Sequence, residues 1–425
     1  MPTTATARRR DPVPHLIYLP LLMLAWGLWL YHLSASDLTF DEAATYYVAH
    51  RPLLDILRYL LHATREHPPL YYLLIHLWMR AAGAGEFSLR VFSVGAGMLL
   101  IALTTALARR MTSLPGLAVA AIIAVTPGMA YYARDARMYS LAALWTVLAA
   151  NLLFRDWLTP AGPRPAAVAA LTLVNLLAVF THYYLLFPIL IQPLTLLLAR
   201  RRSLLTWLAV HALLPAGVLV WYLLSPGLRA TTAGLWGGLS GSLPPYRQVL
   251  RLLGKMLLSP DQRVHYQLLY RALLLVSAGT LFLLWRRRAA GWHLLLTLTV
   301  PLALAYLLPQ VPAPRYLIFL LPYGALAVGF LCESPLLLGR RLPTWGASLA
   351  LTGAVVWPLL TAALPPALTF ARSDYGHVLR LVRAHARPGD GVLFYGPWQW
   401  IQFRYYDPGG LPPITTLPPQ APPLL

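Results

Sequence analysis

Apolar runs of 16 to 22 residues, nearly free of charge, recur along the whole 425-residue chain. Wound as a helix, such a run approaches the length needed to cross the hydrocarbon core of a bilayer. The pattern predicts eleven spans, at about 14–33, 88–108, 116–133, 138–154, 166–181, 183–199, 204–224, 266–285, 291–308, 315–332 and 345–364. The stretch 68–83 is also apolar, but it opens on Pro68 and Pro69 and carries His76 and Arg80, so it is expected to lie flat at the interface. About 54 residues separate the first span from position 88, and apolar positions among them fall at helical spacing (Ala44, Tyr47, Val48; Leu54, Leu57, Leu61). Amphipathic interfacial helices fit that spacing.

Two segments break the apolar pattern. Between 225 and 265 the chain is rich in Gly, Ser and Pro, which predicts either a mobile cover over a bound lipid or a plain spacer. After 365 the pattern becomes that of a water-exposed unit, with a helix at 374–386, a Pro-Gly-Asp-Gly turn, a strand near 391–395 and a helix at 398–406. The Pro-rich ending makes this α/β segment minimal or incomplete. The expected fold class is therefore an all-α polytopic membrane protein, with a catalytic or transport bundle over 1–365 and a short extracytoplasmic α/β segment over 366–425.

Composition agrees, at 58% hydrophobic and 11% charged, and charge adds orientation. Lys plus Arg number 34 against 14 Asp plus Glu, a net +20 that in a soluble domain would suggest nucleic acid. Here the arginines cluster between apolar runs instead. With 68–83 at the interface, Arg8 to Arg10, Arg109, Arg110, Arg155, Arg164, Arg200 to Arg202, Arg286 to Arg288, Arg340 and Arg341 all fall on one side. That side is expected to be cytoplasmic, in a multi-pass plasma-membrane protein whose N-terminus is inside and whose C-terminus is outside. Residues 15–33 are long for a signal-peptide core, so an anchored first helix is expected. Cys332 is the only cysteine, so no intrachain disulfide can form.

The same arrangement gathers Asp41, Glu42, Glu66, His67, Arg134, Asp135, Arg137, His182 and Arg315 at the opposite, outer side. Ionisable groups at a membrane boundary are costly unless they pair or work. A carboxylate in a partly desolvated pocket can take a proton from an attacking hydroxyl, and forked arginine donors suit a phosphate. Plainer roles stand beside each residue. Thr39 can cap a helix whose first turn holds Asp41 and Glu42; Asp135 can orient Arg134 or Arg137; His182 can be a packing histidine; Arg315 can anchor a helix end.

The segments "TFDEAATYY" (39–47), "EHPPLYYLLIHLW" (66–78), "GEFSLRVFSV" (85–94), "TPGMAYYARDARMYSL" (126–141), "THYYLLFP" (181–188) and "PAPRYLIFLLP" (312–322) resemble, in order and spacing, bacterial GT-C glycosyltransferases of the group similar to protein O-mannosyltransferases and the lipid A aminoarabinose transferase. The resemblance covers about 35–330. It implies an inverting transferase that takes a sugar from a polyprenyl-phosphate donor on the extracytoplasmic face. The acceptor would be a glycan, lipid or protein not identified by the sequence. Asp41 would be the general base with Glu42 its neighbour. Glu66 would meet an acceptor or metal, and Asp135 and His182 are assigned to the same group. His67 stands where the family often has a lysine that touches the lipid phosphate. Arg134, Arg137 and Tyr139 of the second outer loop, with Arg315 and Tyr316 of "RY", would face that phosphate. A divalent cation held by Asp41, Glu66, Asp135 and His182 is left open, since no spacing marks a dedicated site. No P-loop or Rossmann glycine pattern occurs, so no nucleotide cofactor is expected. A non-enzymatic lipid or solute carrier is the competing reading, but transporters tend to hold polar groups near the midplane and to show internal repeats. A ligase of whole glycans would share the donor site and differ in its acceptor cleft.

Overall fold

The computed structural model describes residues 15–63, 67–211, 213–230, 246–258, 266–307, 313–369, 374–387, 389–395, 400–406 and 414–417. Five of the expected spans are helical stretches long and apolar enough to cross a membrane: Glu86–Thr112, Arg201–Leu224, Tyr266–Arg286, Pro314–Leu338 and Leu342–Thr369, the second running across Ala212, which lies outside the described residues. Four more are shorter apolar helices, at Tyr18–Leu30, Pro165–Thr181, Tyr183–Ala199 and Arg288–Leu304. The remaining two take other forms. The expected single span at 116–133 is split at Pro127, which has no N–H to continue the helical ladder, and 138–154 becomes a 14-residue helix that runs into a π-helical turn at Leu153–Trp157.

Helix α1 (Tyr18–Leu30) leads into three short helices, α2 (Phe40–Ala49), α3 (Leu53–His62) and α4 (Leu70–Ala82), before the 27-residue α5 (Glu86–Thr112). At 10 to 13 residues, α2 to α4 are each shorter than a bilayer is thick. Then follow α6 (Leu117–Val125), α7 (Pro127–Ala133) and α8 (Tyr139–Leu152). The core is built where α5 and α8 pack along each other and the Leu321–Glu333 helix closes on α6. Close approach sets some of the sequence here: the indole of Trp29 lies where a Cβ on Gly97 would stand, and its Nε1–H donates to the Ala124 carbonyl at 2.9 Å.

The loop at 225–265 contains an element not expected from its composition. Residues Tyr246–Leu257 form a helix that packs on α7 and on the 3₁₀ turn Pro314–Leu320, and the backbone of Met256 comes so near Gly128 that a side chain there would collide with it. Residues 231–245 and 259–265 of that loop lie outside the described residues. The C-terminal elements fall close to expectation, with helices Tyr375–His385 and Trp400–Tyr406 and strand Val392–Tyr395. A second strand, Ile414–Leu417, pairs parallel to the first in register Val392 with Ile414. This unit is seated on the segment between α1 and α5: Gln402 donates to the Leu38 carbonyl at 3.0 Å, the Leu38 amide to the Tyr406 hydroxyl at 2.7 Å, and Tyr405 to the Ala84 carbonyl at 2.9 Å.

Candidate active site

The two adjacent acids of "TFDEAATYY" go to different environments. Thr39 caps α2 through a capping box: the Glu42 amide donates to Thr39 Oγ1, and Glu42 Oε2 accepts from the Thr39 amide. Glu42 is fully buried and also accepts from Arg90 Nε and Nη2, both at 2.8 Å, and from the Ala136 amide at 3.0 Å. Arg90, in the second turn of α5, gives its other donors to the carbonyls of Leu33, Ser36 and Asp37. Glu42, expected beside Asp41 as a catalytic acid, is therefore a structural hub, because its oxygens are consumed by protein donors. Arg90 lies inside "GEFSLRVFSV", and its signal in the sequence is an arginine just inside the start of a long apolar helix, where it must find a partner.

Asp41 is different. Its Oδ2 accepts from Arg315 Nη1 at 2.8 Å, and the two side chains keep 27% and 38% of their exposure, so this pair sits at an opening. The Asp41 carbonyl accepts from Thr45 Oγ1 and from Arg137 Nη1, which also reaches Thr45 Oγ1 at 3.0 Å. Next to the pair stands an aromatic group. The rings of His67 and His182 are 4.8 Å apart, Tyr316 lies 5.8 Å from His67 and 5.2 Å from His182, Tyr184 lies 5.3 Å from Tyr316, and the Arg315 guanidinium is 5.6 Å from the Tyr316 ring centre. Tyr184, not singled out from sequence, belongs to "THYY".

Burial first, and neighbouring cations second, favour the neutral form of both histidines. Burial lowers His67 well below the usual histidine range, with His182, Arg137 and Arg315 adding to it. His182 is brought down to about 3, first by burial and then by Arg137 and Arg315. His182 Nδ1 accepts from the Tyr184 amide at 3.2 Å, so the proton of its neutral ring sits on Nε2. Among the described residues that buried Nε2 has no hydrogen-bond partner, and neither do Arg315 Nε and the Tyr139 hydroxyl. Buried polar atoms are almost always satisfied. These three donors, one of them on the arginine of the pair, are of a kind that suits an anion.

Other expected members lie apart. Arg134, expected at the donor phosphate, spends its terminal nitrogens on the carbonyls of Tyr31, His32, Ala367 and Leu368, tying the end of α1 to the last membrane helix. Residues 134–138 leave the helical path between α7 and α8, so Arg134 and Arg137 turn to different partners. Asp135 is buried beside them. Glu66 lies outside the described residues. Among the described residues no group of three His, Cys, Asp or Glu side chains is placed to hold a metal ion.

No protein-family model and no curated protein matches the chain. Solved structures do. ArnT from Cupriavidus metallidurans in the apo state superposes at TM-score 0.60 and 13% identity, over 94% of this chain and 85% of that one. The same enzyme bound to undecaprenyl phosphate gives 0.61 and 14% over the same shares. The oligosaccharyltransferase AglB from Archaeoglobus fulgidus, with an inhibitory peptide and dolichol-phosphate, gives 0.59 and 14% over 92% of this chain and 63% of that one. Both neighbours are GT-C glycosyltransferases, and the fold of this chain is the GT-C fold.

Proposed function

We propose that the protein is an integral-membrane glycosyltransferase that moves a sugar from a polyprenyl-phosphate donor to a nucleophile on a glycan, lipid or protein, at the outer face and with inversion. The observation that carries this reading is the half-open Asp41–Arg315 pair, together with Arg315 Nε, His182 Nε2 and the Tyr139 hydroxyl, donors with no hydrogen-bond partner among the described residues. Lipid phosphates in the neighbours, undecaprenyl phosphate in ArnT and dolichol-phosphate in AglB, are anions of the class such a donor set suits.

Asp41 takes the proton of the acceptor hydroxyl as its oxygen bonds to the anomeric carbon. The bond from that carbon to the phosphate oxygen breaks, and its electron pair leaves with the phosphate, which departs as an anion. Arg315, Arg137, Tyr139 and His182 hold that anion, and a leaving group of this kind needs cations and donors more than a proton. Arg315 has two claimants. One is the Asp41 carboxylate, which it reaches at 2.8 Å; the other is the donor phosphate, an anion that competes with that carboxylate for the guanidinium. His67 contributes a neutral ring where a lysine would add a charge, so positive charge at the phosphate rests on the arginines.

The test is transfer of radiolabelled sugar from a panel of polyprenyl-phosphate sugars to membrane acceptors, with the parent protein and Asp41→Asn at matched expression. Label moved by the parent and lost in the variant supports the reading and names the sugar. Equal transfer by both removes Asp41 from the mechanism, and no transfer from any donor by a folded protein overturns the transferase.

A further inference from the structure

The helix Tyr246–Leu257 carries a row of cations that the site just described does not use. Arg247, Arg251 and Lys255 recur every fourth residue, which stacks them on one face, and all are exposed. Leu252 and Met256 are buried, and the helix packs on α7, on Pro314–Leu320 and on Tyr266–Arg286. A third stripe, Val249, Leu250, Leu253 and Leu257, is half-buried and borders the cations. The helix "YRQVLRLLGKML" has no acidic residue to neutralise the row. Its seat on Pro314–Leu320 puts it at the same end of the bundle as Arg315, away from the arginine clusters that orient the chain. Orientation does not explain positive charge there, since the rule of charge distribution would place it at the other end.

We propose that this helix is a docking surface for the phosphate headgroups of anionic phospholipids in the outer leaflet. Eight residues of α-helix separate Arg247 from Lys255, about 12 Å of rise, which is wider than one phosphate and suits several separate monoanionic headgroups. The half-buried leucine stripe beside the row would meet the upper acyl chains, the arrangement of an interfacial amphipathic helix. With its other apolar face already packed on the bundle, the helix is held by the protein, and the lipid contact is chiefly electrostatic. It is therefore expected to weaken with salt.

A nitroxide attached through Gln248→Cys, beside the row, reads the contact locally, because Cys332 is buried and the arginines at the far end do not affect this probe. The full-length protein is reconstituted in vesicles of phosphatidylcholine alone or with phosphatidylglycerol. The expected result is a probe immobilised by phosphatidylglycerol, with an apparent affinity falling about tenfold or more when Arg247, Arg251 and Lys255 are all changed to Gln, and retained when the two arginines become Lys. Raising salt should release the parent probe in the same way, which keeps the test independent of whether the triple variant folds. A probe indifferent to lipid charge overturns the proposal. So does a probe that answers to added polyprenyl phosphate in phosphatidylcholine but not to phosphatidylglycerol, since the row would then serve the donor.

Discussion

Glu42–Arg90 and Asp41–Arg315 begin at neighbouring residues, use the same chemistry and have the same 2.8 Å contact, yet they are opposite kinds of ion pair. The first keeps 0% and 2% of its side-chain exposure, and every oxygen of Glu42 is occupied. The second keeps 27% and 38%, and Arg315 Nε has no hydrogen-bond partner among the described residues. Adjacent positions on a helix point about 100° apart, so one turn can send one acid into the protein and the other to an opening. A buried pair with all its bonds made fixes geometry and is not free to react. A half-open pair with a spare donor can exchange partners.

The largest effect is expected where the closed pair is broken. Arg90→Ala takes the guanidinium from a buried carboxylate, and it frees the carbonyls of Leu33, Ser36 and Asp37 between α1 and α2. The expected loss is about 3–5 kcal/mol, seen as a large drop in thermal stability in detergent and in the yield of folded protein. Replacing both partners with Met should recover part of it, because two apolar groups leave no buried charge. A single variant as stable as the parent would remove the hub role from Glu42.

Asp41→Asn gives the contrasting result. Its pair is partly solvated, so thermal stability should change by about 1 kcal/mol or less, while transfer falls by about 10² to 10⁴-fold. Loss of stability and activity together would mean that the two pairs differ less than their exposure indicates.

How much of this contrast was legible in the sequence depends on the reach of each contact. "TFDEAATYY" announced a capped helix with two acids, and Thr39 caps it. Which acid turned inward depended on Arg90, 48 residues away, and no local pattern carries that. "RDAR" showed two arginines three apart, and the resemblance assigned both to one phosphate. Because 134–138 is not helical, Arg134 instead became a tie between α1 and the last membrane helix. The apolar runs foretold most helices since burial in a membrane core needs only length and hydrophobicity. Tyr246–Leu257 was overlooked because Gly, Ser and Pro dominate the segment before it, although Leu252 and Met256 opposite Arg247, Arg251 and Lys255 carried a helical signal.

Acid should sharpen the contrast further through the histidines beside the open pair. In the folded protein His67 and His182 bind protons less readily than in the unfolded chain, where the ordinary value is 6.5. Below that value the unfolded state takes up protons that the folded state refuses, so stability is full above about pH 6.5 and falls as pH drops toward 3, the His182 value. Each neutral-held histidine should cost up to about 1.4 kcal/mol per pH unit in that window. His182→Gln should flatten the acid side of a stability–pH profile relative to the parent, a difference that cancels the carboxylates common to both. Parallel profiles would mean that His182 is already charged in the folded protein.

The smallest effect is expected at a third pair, which serves as the calibration for the other two. Asp55 and Arg58 lie three residues apart on α3, with an Arg58 Nη1 to Asp55 Oδ1 contact of 3.1 Å, and keep 47% and 73% of their exposure. Solvent screens such a pair and holding two long side chains together costs entropy, so its net contribution is within about 0.5 kcal/mol. Arg58→Gln should leave both melting behaviour and transfer unchanged within error, at low salt as at high. If it cost as much as Arg90→Ala, exposure would not be the variable that separates these pairs, and the division of labour between Glu42 and Asp41 would need another cause.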